Sequence, residues 1–433
     1  MRLATGVAGA ATAGFSGGAA LCHGVHGHGD APHGHGHGDV EARMAELAAR
    51  LARLEAETAA RYGVSATTGQ GDAVFAWDER LTAALPASCR PFEQHMHGGF
   101  NEDAETGVVY TGIPGAGLFA ISPDLVTWTR LGTDERLAAN IHGLVAFEHG
   151  GRKQLALAQN DAQRVLVVDA QTGAVLQELH APRGGEFGGA GAAAANAYYS
   201  ARRGDGGPKV FAVTDVTYCP ENGRLYCVTG YCDGDFVLSA SMGDDDGRWA
   251  WGPVAWGGKG DGAGQFRTAH GVTCHNGHVY VANREAFQVV KFAPDGALVE
   301  VLPGVPHGSR ICNVAVAKGS GADVAARAAT PGGGEGYLYM NALAPLGDGT
   351  TYALGGGREA VRGAARTAPI YAHSGEAVVS VIDAGSLGIP VLKHLHHVWP
   401  HYVPNADGSK TLHLLVHGWR DGKFAVLRHE KEE

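Results

Sequence analysis

The stretch Trp256–Phe292, WGGKGDGAGQFRTAHGVTCHNGHVYVANREAFQVVKF, has the pattern of one blade of a β-propeller. His270-Gly271 opens a strand, Asn276-Gly277 forms a turn, and Val279 to Ala282 forms a second strand. An alternating strand, Gln288 to Phe292, completes the pattern. Strands this short, separated by glycine turns, cannot bury both faces alone, so the stretch predicts stacked copies of itself.

The chain contains six such units when the residues that open them are aligned. These openers are His97, His142, Asp215, His270, Asn313 and His401. The spacings from 97 to 142 and from 270 to 313 lie near the roughly 40–50 residues of a four-stranded blade. Glycine- and alanine-rich insertions at 184–207 and 319–336 predict loops. The sequence therefore predicts an all-β fold, a six-bladed β-propeller over residues 75–433.

Composition agrees with this fold and excludes some partners. Glycine accounts for 67 of 433 residues and charged residues for 18%, as in turn-dense all-β chains. The net charge is −10 and no basic stripe is present, which argues against a nucleic-acid partner. No run of about 20 apolar residues follows the N-terminus, so no transmembrane helix is predicted.

The first 38 residues have a different character. Met1 to Ala20 is a weakly apolar run of small residues that fits a secretory signal, a plastid transit peptide or a flexible tail. A glycine-rich tract follows, with histidines at His23, His26, His28, His33, His35 and His37. The tract is predicted to be disordered, and such a tract can bind zinc, copper or nickel. We expect secretion or another organelle address, with a cytoplasmic location as the alternative.

Residues 39–62 are predicted to form one amphipathic helix. Asp39 is its predicted N-cap, and Val40, Met44, Leu47, Leu51 and Leu54 form a short a/d seam. The seam spans about two heptads, fewer than a stable coiled coil needs. The helix is therefore expected either to pack on the propeller wall or to support a weak oligomer.

The seven cysteines contain no CxxC pair, and their odd number gives no complete disulfide framework. Three of them, Cys219, Cys227 and Cys232, belong to one predicted blade. Two of these three could form a bridge in an oxidising compartment, or all three could be small buried apolar residues.

The innermost strand of each propeller blade lines a central channel. Residues at the same phase of these strands converge on the axis, which predicts that His97, His142, His270 and His401 meet there. Neutral imidazoles bind zinc, copper or iron, and a catalytic zinc commonly keeps three protein ligands. The remaining nearby histidines are off phase and predicted at the surface or around the ligands: His95, His394, His396, His397 and His413.

Several motifs resemble the lyase domain of peptidylglycine α-amidating enzymes, a six-bladed propeller of the NHL-repeat type. The resemblance covers about Phe92 to Arg428. It is carried by Thr214-Asp215-Val216 with Gly230-Tyr231-Cys232 at the family's spacing, and by the histidine motifs. The histidine motifs are His142-Gly143-Leu144, Gly264-Gln265-Phe266 with His270, and Trp399-Pro400-His401, and the run Val281 to Glu285 adds to the resemblance.

The resemblance implies a zinc ion held by His142, His270 and His401, with His97 as an additional candidate ligand. It implies that Tyr231 handles the substrate hydroxyl proton and that Arg284 holds a carboxylate. The implied reaction cleaves the C–N bond of a peptidyl-α-hydroxyglycine, giving an amide and glyoxylate. The residues before the propeller are expected to be too few for a hydroxylase domain, so the resemblance implies a separate hydroxylase that supplies the substrate.

The chain also departs from the family pattern. The first-blade arginine of the family is missing from Thr111 to Gly115. Tyr402 replaces an aspartate that supports a structural calcium in the family, and Phe211 replaces the cysteine expected to pair with Cys232. The resemblance therefore carries over neither the calcium nor that disulfide. His97 is an addition, which leaves a four-histidine iron or copper enzyme and a non-catalytic NHL propeller that binds protein or peptide as alternatives.

Overall fold

The computed structural model describes Glu46, Arg50 and residues 65–189, 191–202, 209–243, 247–316, 337–343, 369–389, 395–419 and 424–430. Glu46 and Arg50 are helical and exposed. The rest of the predicted helix 39–62, the histidine tract, the insertion at 319–336 and His394 lie outside the described residues. Among the described helices, none has both the length and the apolar run needed to cross a lipid bilayer.

The described strands form six antiparallel sheets, which are the six predicted blades. The N-terminal strands are β1 (Thr68–Gln70) and β2 (Ala73–Trp77). Blade 1 contains β3 (Phe100–Glu102), β4 (Val109–Ile113), β5 (Gly117–Ile121) and β6 (Trp128–Leu131), and blade 2 contains β7 (Gly143–His149), β8 (Arg152–Gln159), β9 (Arg164–Asp169) and β10 (Val175–His180). Blade 3 contains β11 (Asp215–Cys219), β12 (Arg224–Val228), β13 (Phe236–Met242) and β14 (Trp249–Gly257), and blade 4 contains β15 (Ala269–His275), β16 (His278–Asn283), β17 (Gln288–Phe292) and β18 (Leu298–Val301). Blade 5 contains β19 (Arg310–Val316), β20 (Leu338–Leu343), β21 (Pro369–His373) and β22 (Val378–Asp383), and blade 6 contains β23 (Leu395–Pro404), β24 (Lys410–Gly418) and β25 (Phe424–Glu430).

Among the described residues from 65 onward, the helical segments are short. They are α1 (Glu79–Thr82), α2 (Ala192–Ala201) and 3₁₀ turns at Arg90–His95, Glu135–Ala138, Arg284–Ala286 and Ala384–Leu387. Helix α2 falls inside the insertion 184–207, which the sequence analysis predicted as loop. The stretch Ala192–Ala195 has high helix propensity, and Ala195 and Tyr199 are buried against blade 3.

The beginning of the chain closes the ring. Strand β2 pairs with β25, the last strand, with Val74 opposite Glu430 and Trp77 opposite Leu427. Blade 6 is therefore a five-stranded sheet in the order β1-β2-β25-β24-β23. The first residues of the propeller thus precede position 75, and strands from both ends of the chain hold one blade together.

The core lies between blades. The first strands of the blades contact one another in the closed circle β3-β7-β11-β15-β19-β23. The described residues form six buried apolar clusters, and each cluster joins neighbouring blades. Polar side chains add hydrogen bonds across these contacts. Asp215 accepts from the backbone N–H of Val272, and Asn313 accepts from that of Val398.

The inner strands approach closely where the sequence supplies glycine. A Cβ atom on Gly143 would lie 2.1 Å from Oδ1 of Asp215, and one on Gly271 would lie 2.6 Å from the Cys312 carbonyl oxygen. Both glycines directly follow a channel histidine. Neighbouring inner strands can therefore pack closely at the same level as those histidines.

Candidate metal centre

Four histidines from four blades meet in the channel. They are His97, His142, His270 and His396, and each is at most 4% exposed. The ring centroid of His142 lies 4.1 Å from that of His97, 4.9 Å from that of His270 and 4.8 Å from that of His396. His396 also lies 4.3 Å from His97 and 4.9 Å from His270. Ligand atoms of His97, His142 and His396 all lie within 4.8 Å of one another.

Each of three rings is oriented by a bond at Nδ1. His142 donates from Nδ1 to the Thr214 carbonyl oxygen, and His270 donates to the Cys312 carbonyl oxygen over 2.7 Å. His97 Nδ1 lies 2.9 Å from Oδ1 of Asn140. Both carbonyl acceptors require a proton on Nδ1, so the Nε2 atoms of His142 and His270 are unprotonated and can accept a bond. These anchors fix the tautomer in the way that partners of metal-bound histidines do.

Burial favours the neutral form of two of these histidines, His142 and His396. It is the main cause that lowers the pKa of His142 well below its usual value, and His97 and His270 lower it further. Burial is also the main cause that lowers the pKa of His396 well below its usual value, and the neighbouring histidines lower it further. Nε2 of His142 is buried and has no hydrogen-bond partner among the described residues. Neutral, inward-facing imidazole nitrogens are the donor set that zinc, iron and copper accept.

The structure does not bring His401 into this cluster. Its Nδ1 lies 2.6 Å from Oε2 of Glu102, and its Nε2 lies 2.8 Å from the carbonyl oxygen of Pro123. His396 takes the blade 6 position instead. The register of β23 shifts between Leu395 and His397, so His396 occupies a β-bulge where a repeat alignment loses phase.

A bulge of the same kind occurs on two other inner strands, β15 and β19. Register shifts flank His270 on β15 and Cys312 on β19. Cys312, rather than Asn313, is therefore the blade 5 counterpart of His270. Thr214, whose carbonyl accepts from His142, takes the corresponding place in blade 3. Asp215 and Asn313, the residues predicted to face the axis, join neighbouring blades instead.

Tyr231 and Arg284 lie beside the cluster. The phenol of Tyr231 donates to Nε2 of His270 over 2.8 Å, and Nη1 of Arg284 donates to the Tyr231 oxygen over 2.8 Å. Burial raises the pKa of Tyr231 to about 12, although Arg284 opposes the shift. Tyr231 is therefore a protonated phenol at neutral pH.

A carboxylate holds Arg284 in place. Oε1 of Glu285 accepts from Nε of Arg284 over 3.0 Å, and its other oxygen lies 3.0 Å from Nε of Arg310. The guanidinium of Arg284 is largely buried, and its centre lies 5.2 Å from the Tyr231 ring centroid. This chain of contacts runs from Arg310 through Glu285 and Arg284 to Tyr231 and His270.

Sequence reasoning missed Cys312 and Trp419 as members of this region. Burial raises the pKa of the Cys312 thiol to about 12, while nearby Arg284 lowers it. Trp419 stacks on His97 with a ring separation of 4.8 Å. The Cys312-Asn313 dipeptide carried a usable signal, since shifting the alignment by one residue places the thiol in phase with His270.

The disulfide connects two blades. Cys219 at the end of β11 is bonded to Cys274 on β15, whereas the sequence analysis considered pairs within one blade. Cys227 and Cys232 are buried thiols. The two bonded residues lie 55 positions apart in sequence, and only the side-by-side packing of blades 3 and 4 brings them together.

Three solved structures are among those similar to this chain. A luciferin-regenerating enzyme matches with a TM-score of 0.42 and 12% identity over 80% of this chain and 92% of its own. A gluconolactonase from Xanthomonas campestris matches with a TM-score of 0.44 and 12% identity over 84% and 91%. Hydrazine synthase from Kuenenia stuttgartiensis matches with a TM-score of 0.33 and 14% identity over 61% and 53%. No family model and no curated protein matches the sequence.

Proposed function

We propose that the chain is a metal-dependent enzyme whose ion is held by His142, His270 and His396, with His97 beside them. The observation that supports this most is the convergence of the four rings, with centroids 4.1–4.9 Å apart in neighbouring pairs. A buried histidine is ordinarily satisfied by protein partners. Here the Nδ1 atom of His142 is satisfied, but its Nε2 is buried without a partner among the described residues.

The proposed reaction is cleavage of the C–N bond of a carbinolamide that ends in a carboxylate, such as a peptidyl-α-hydroxyglycine. A divalent cation bound by the histidines would act as a Lewis acid on the substrate hydroxyl oxygen. The C–O–H proton leaves, the carbonyl of glyoxylate forms, and the C–N electron pair moves to nitrogen. The nitrogen then gains a proton and becomes the amide, so the reaction needs no other reactant.

Tyr231 is the group positioned to carry that proton. Its oxygen lies between His270 and Arg284, within 2.8 Å of each. Its proton currently occupies the lone pair of His270 Nε2, the same lone pair that a cation requires. Ligation of the cation would therefore free the Tyr231 oxygen for the substrate, and the adjacent Arg284 charge favours the phenolate form.

Arg284 is the proposed clamp for the substrate carboxylate. Glu285 occupies its Nε, while Nη1 faces Tyr231. A guanidinium restrained in this way can form charge-assisted bonds to a carboxylate at small entropic cost. Arg310 contacts the same glutamate, so a second positive charge lies near this end of the site although the first-blade arginine is missing.

A second candidate follows from His97. Its ring lies 4.1 Å from that of His142 and 4.3 Å from that of His396, and the ligand atoms of these three residues lie within 4.8 Å of one another, so His97 is placed to share an ion with them. A four-imidazole set without a carboxylate equally suits iron or copper and would support redox chemistry. An absorption or EPR signal from the bound metal distinguishes this case from zinc.

We further propose that the protein works in an oxidising compartment. The bond between Cys219 and Cys274 supports this location, because structural disulfides persist in secreted proteins and are rare in the cytosol. A separate hydroxylase in the same compartment would supply the carbinolamide.

The test is glyoxylate release from an acyl-α-hydroxyglycine by the purified protein with zinc. His270→Ala should abolish release, whereas His95→Ala, which alters an exposed histidine outside the cluster, should not. Zinc binding in the channel without glyoxylate release would reject the lyase reaction and leave the metal centre. Release that persists in His270→Ala would reject both.

A further inference from the structure

The channel region contains a second cavity, of about 270 Å³, separate from the histidine cluster. Thr273 and Cys274 line it from β15, where they follow His270, and Val145 to Glu148 line it from β7, where they follow His142. None of the four clustered histidines lines this cavity. It therefore lies farther along the inner strands than the proposed metal centre.

Aromatic side chains form much of the cavity wall. Tyr110, Phe147, Tyr218 and Trp399 all line it, and the rings of Phe147 and Tyr218 are stacked with centroids 4.7 Å apart. Burial raises the pKa of Tyr110, so its ring stays a neutral phenol at physiological pH. Trp399 is 7% exposed, and its indole N–H is buried without an acceptor among the described residues. Aromatic side chains of this kind can attract an organic cation.

The charged residues in the wall are mostly acidic. Glu102, Asp103, Glu105 and Glu148 contribute carboxylates, whereas Lys153 contributes the one ammonium group in the described lining. Lys153 is already paired with Asp103 at 2.7 Å and with Glu105 at 2.6 Å. Although burial opposes it, the bond from Lys153 holds the pKa of Asp103 below its usual range. The lining therefore has more carboxylates than ammonium groups, with Glu102 also in contact with His401, and a concave wall with charges of mainly one sign focuses their field.

We propose that this second cavity binds a small organic cation, an amine or quaternary ammonium with an apolar or aromatic body. The carboxylates attract the positive group, and the stacked rings accept the body by cation–π and apolar contact. The site is independent of the proposed lyase reaction.

The arrangement favours an organic cation over a bare metal ion. A metal ion needs several oxygen ligands that converge on one point. The described residues contain no group of three from this wall that is close enough to share an ion. An anionic ligand would have to overcome the surplus of carboxylates. The aromatic surface would also remain unused by either of these ligands.

The test uses isothermal titration of the full-length protein with benzyltrimethylammonium and, in parallel, with benzylsulfonate. These ions share an aromatic body and differ in charge. We expect binding of the cation alone, and a loss of affinity as salt is raised. The double variant Glu105→Gln with Glu148→Gln removes two exposed carboxylates and leaves Asp103 to pair with Lys153. It should weaken cation binding by about five- to tenfold.

Glu376→Gln is the matched control, because Glu376 is also exposed and does not line the cavity. It should leave the affinity unchanged. Failure of the cation to bind, equal binding of the two ions, or equal affinity in the double variant and the control would each overturn the proposal. Circular dichroism of the variants verifies that their fold is retained.

Discussion

The phenol of Tyr231 donates to Nε2 of His270 over 2.8 Å, although the two residues lie in different blades. Tyr231 follows β12 of blade 3, and His270 lies on β15 of blade 4. Arg284 donates to the same phenol oxygen from the turn after β16. Tyr231 thus links a proposed metal ligand to a proposed carboxylate clamp and is itself the proposed proton carrier, and single substitutions can test each proposed role.

Replacement of Tyr231 by phenylalanine should separate metal binding from turnover. The variant lacks the O–H that competes for the lone pair of His270, so its zinc affinity should equal or exceed that of the original protein. Loss of a positioned proton carrier typically costs about 10²–10⁴-fold in rate. Zinc titration should therefore show retained or tighter binding, while glyoxylate release falls. A fall in zinc affinity would show that Tyr231 acts mainly by supporting the histidine.

Replacement of Arg284 by glutamine should raise KM strongly for substrates that end in a carboxylate. A buried charge-assisted pair contributes about 2–3 kcal/mol, which corresponds to roughly 30- to 150-fold. Arg310→Gln is the matched comparison, because Arg310 contacts the same Glu285 but is not the proposed carboxylate clamp. Kinetics with a carboxylate substrate and its methyl ester test the role. Equal losses for the acid and the ester would contradict a carboxylate clamp.

Asp215 should make stability depend on pH. Burial raises its pKa to about 7, against bonds from the N–H groups of Val272 and Val216 that lower it. The unfolded carboxyl titrates near 3.8. Between these values the folded state binds more protons, so the protein should lose stability as pH rises from about 4 to 7.

Asn313 has a position in blade 5 that corresponds to that of Asp215 in blade 3. Its side-chain amide accepts a hydrogen bond from the backbone N–H of Val398 in the next blade. Asp215→Asn should therefore fold and should lack this pH dependence. Its stability relative to the original chain should grow by about 1–3 kcal/mol between pH 5 and pH 7. Urea unfolding at the two pH values measures the difference. A constant difference would mean that Asp215 is ionised throughout in the folded protein.

The disulfide between Cys219 and Cys274 should stabilise the contact between blades 3 and 4. Replacing both cysteines by serine should lower the free energy of unfolding by about 2–4 kcal/mol, because the closed loop in the unfolded chain is lost. Dithiothreitol should have the same effect on the original protein and none on the double variant. Thermal unfolding with and without reductant measures it. Identical melting of the oxidised and reduced chains would contradict a structural bridge.

The sequence predicted features that repeat from blade to blade. It did not predict features that depend on contacts between residues far apart in the chain. His142 and His270 were predicted to face the channel because each precedes a glycine at the start of a strand. His396 was missed because the bulge on β23 changes the phase by which repeats are aligned, and His401 was chosen in its place. The bulge becomes visible only when β23 is paired with β24.

Ring closure and the disulfide were missed for a related reason. Pairing of β2 with β25 depends on the two ends of the chain meeting in space, and neither strand carries a motif that specifies the other. Cys219 and Cys274 are likewise joined by blade packing, not by spacing within one repeat. Local patterns thus defined the blades, whereas contacts between blades determine the site.

The central claim is that the channel holds one metal ion through His142, His270 and His396, and its most direct test is metal stoichiometry. The full-length chain should first have His23, His26, His28, His33, His35 and His37 replaced by serine, so that the tract does not contribute metal. Elemental analysis after dialysis with zinc should then give about one ion per chain. His396→Ala should lose the ion, while His401→Ala should retain it. One ion retained by His396→Ala, or none bound by the parent chain, would contradict the account.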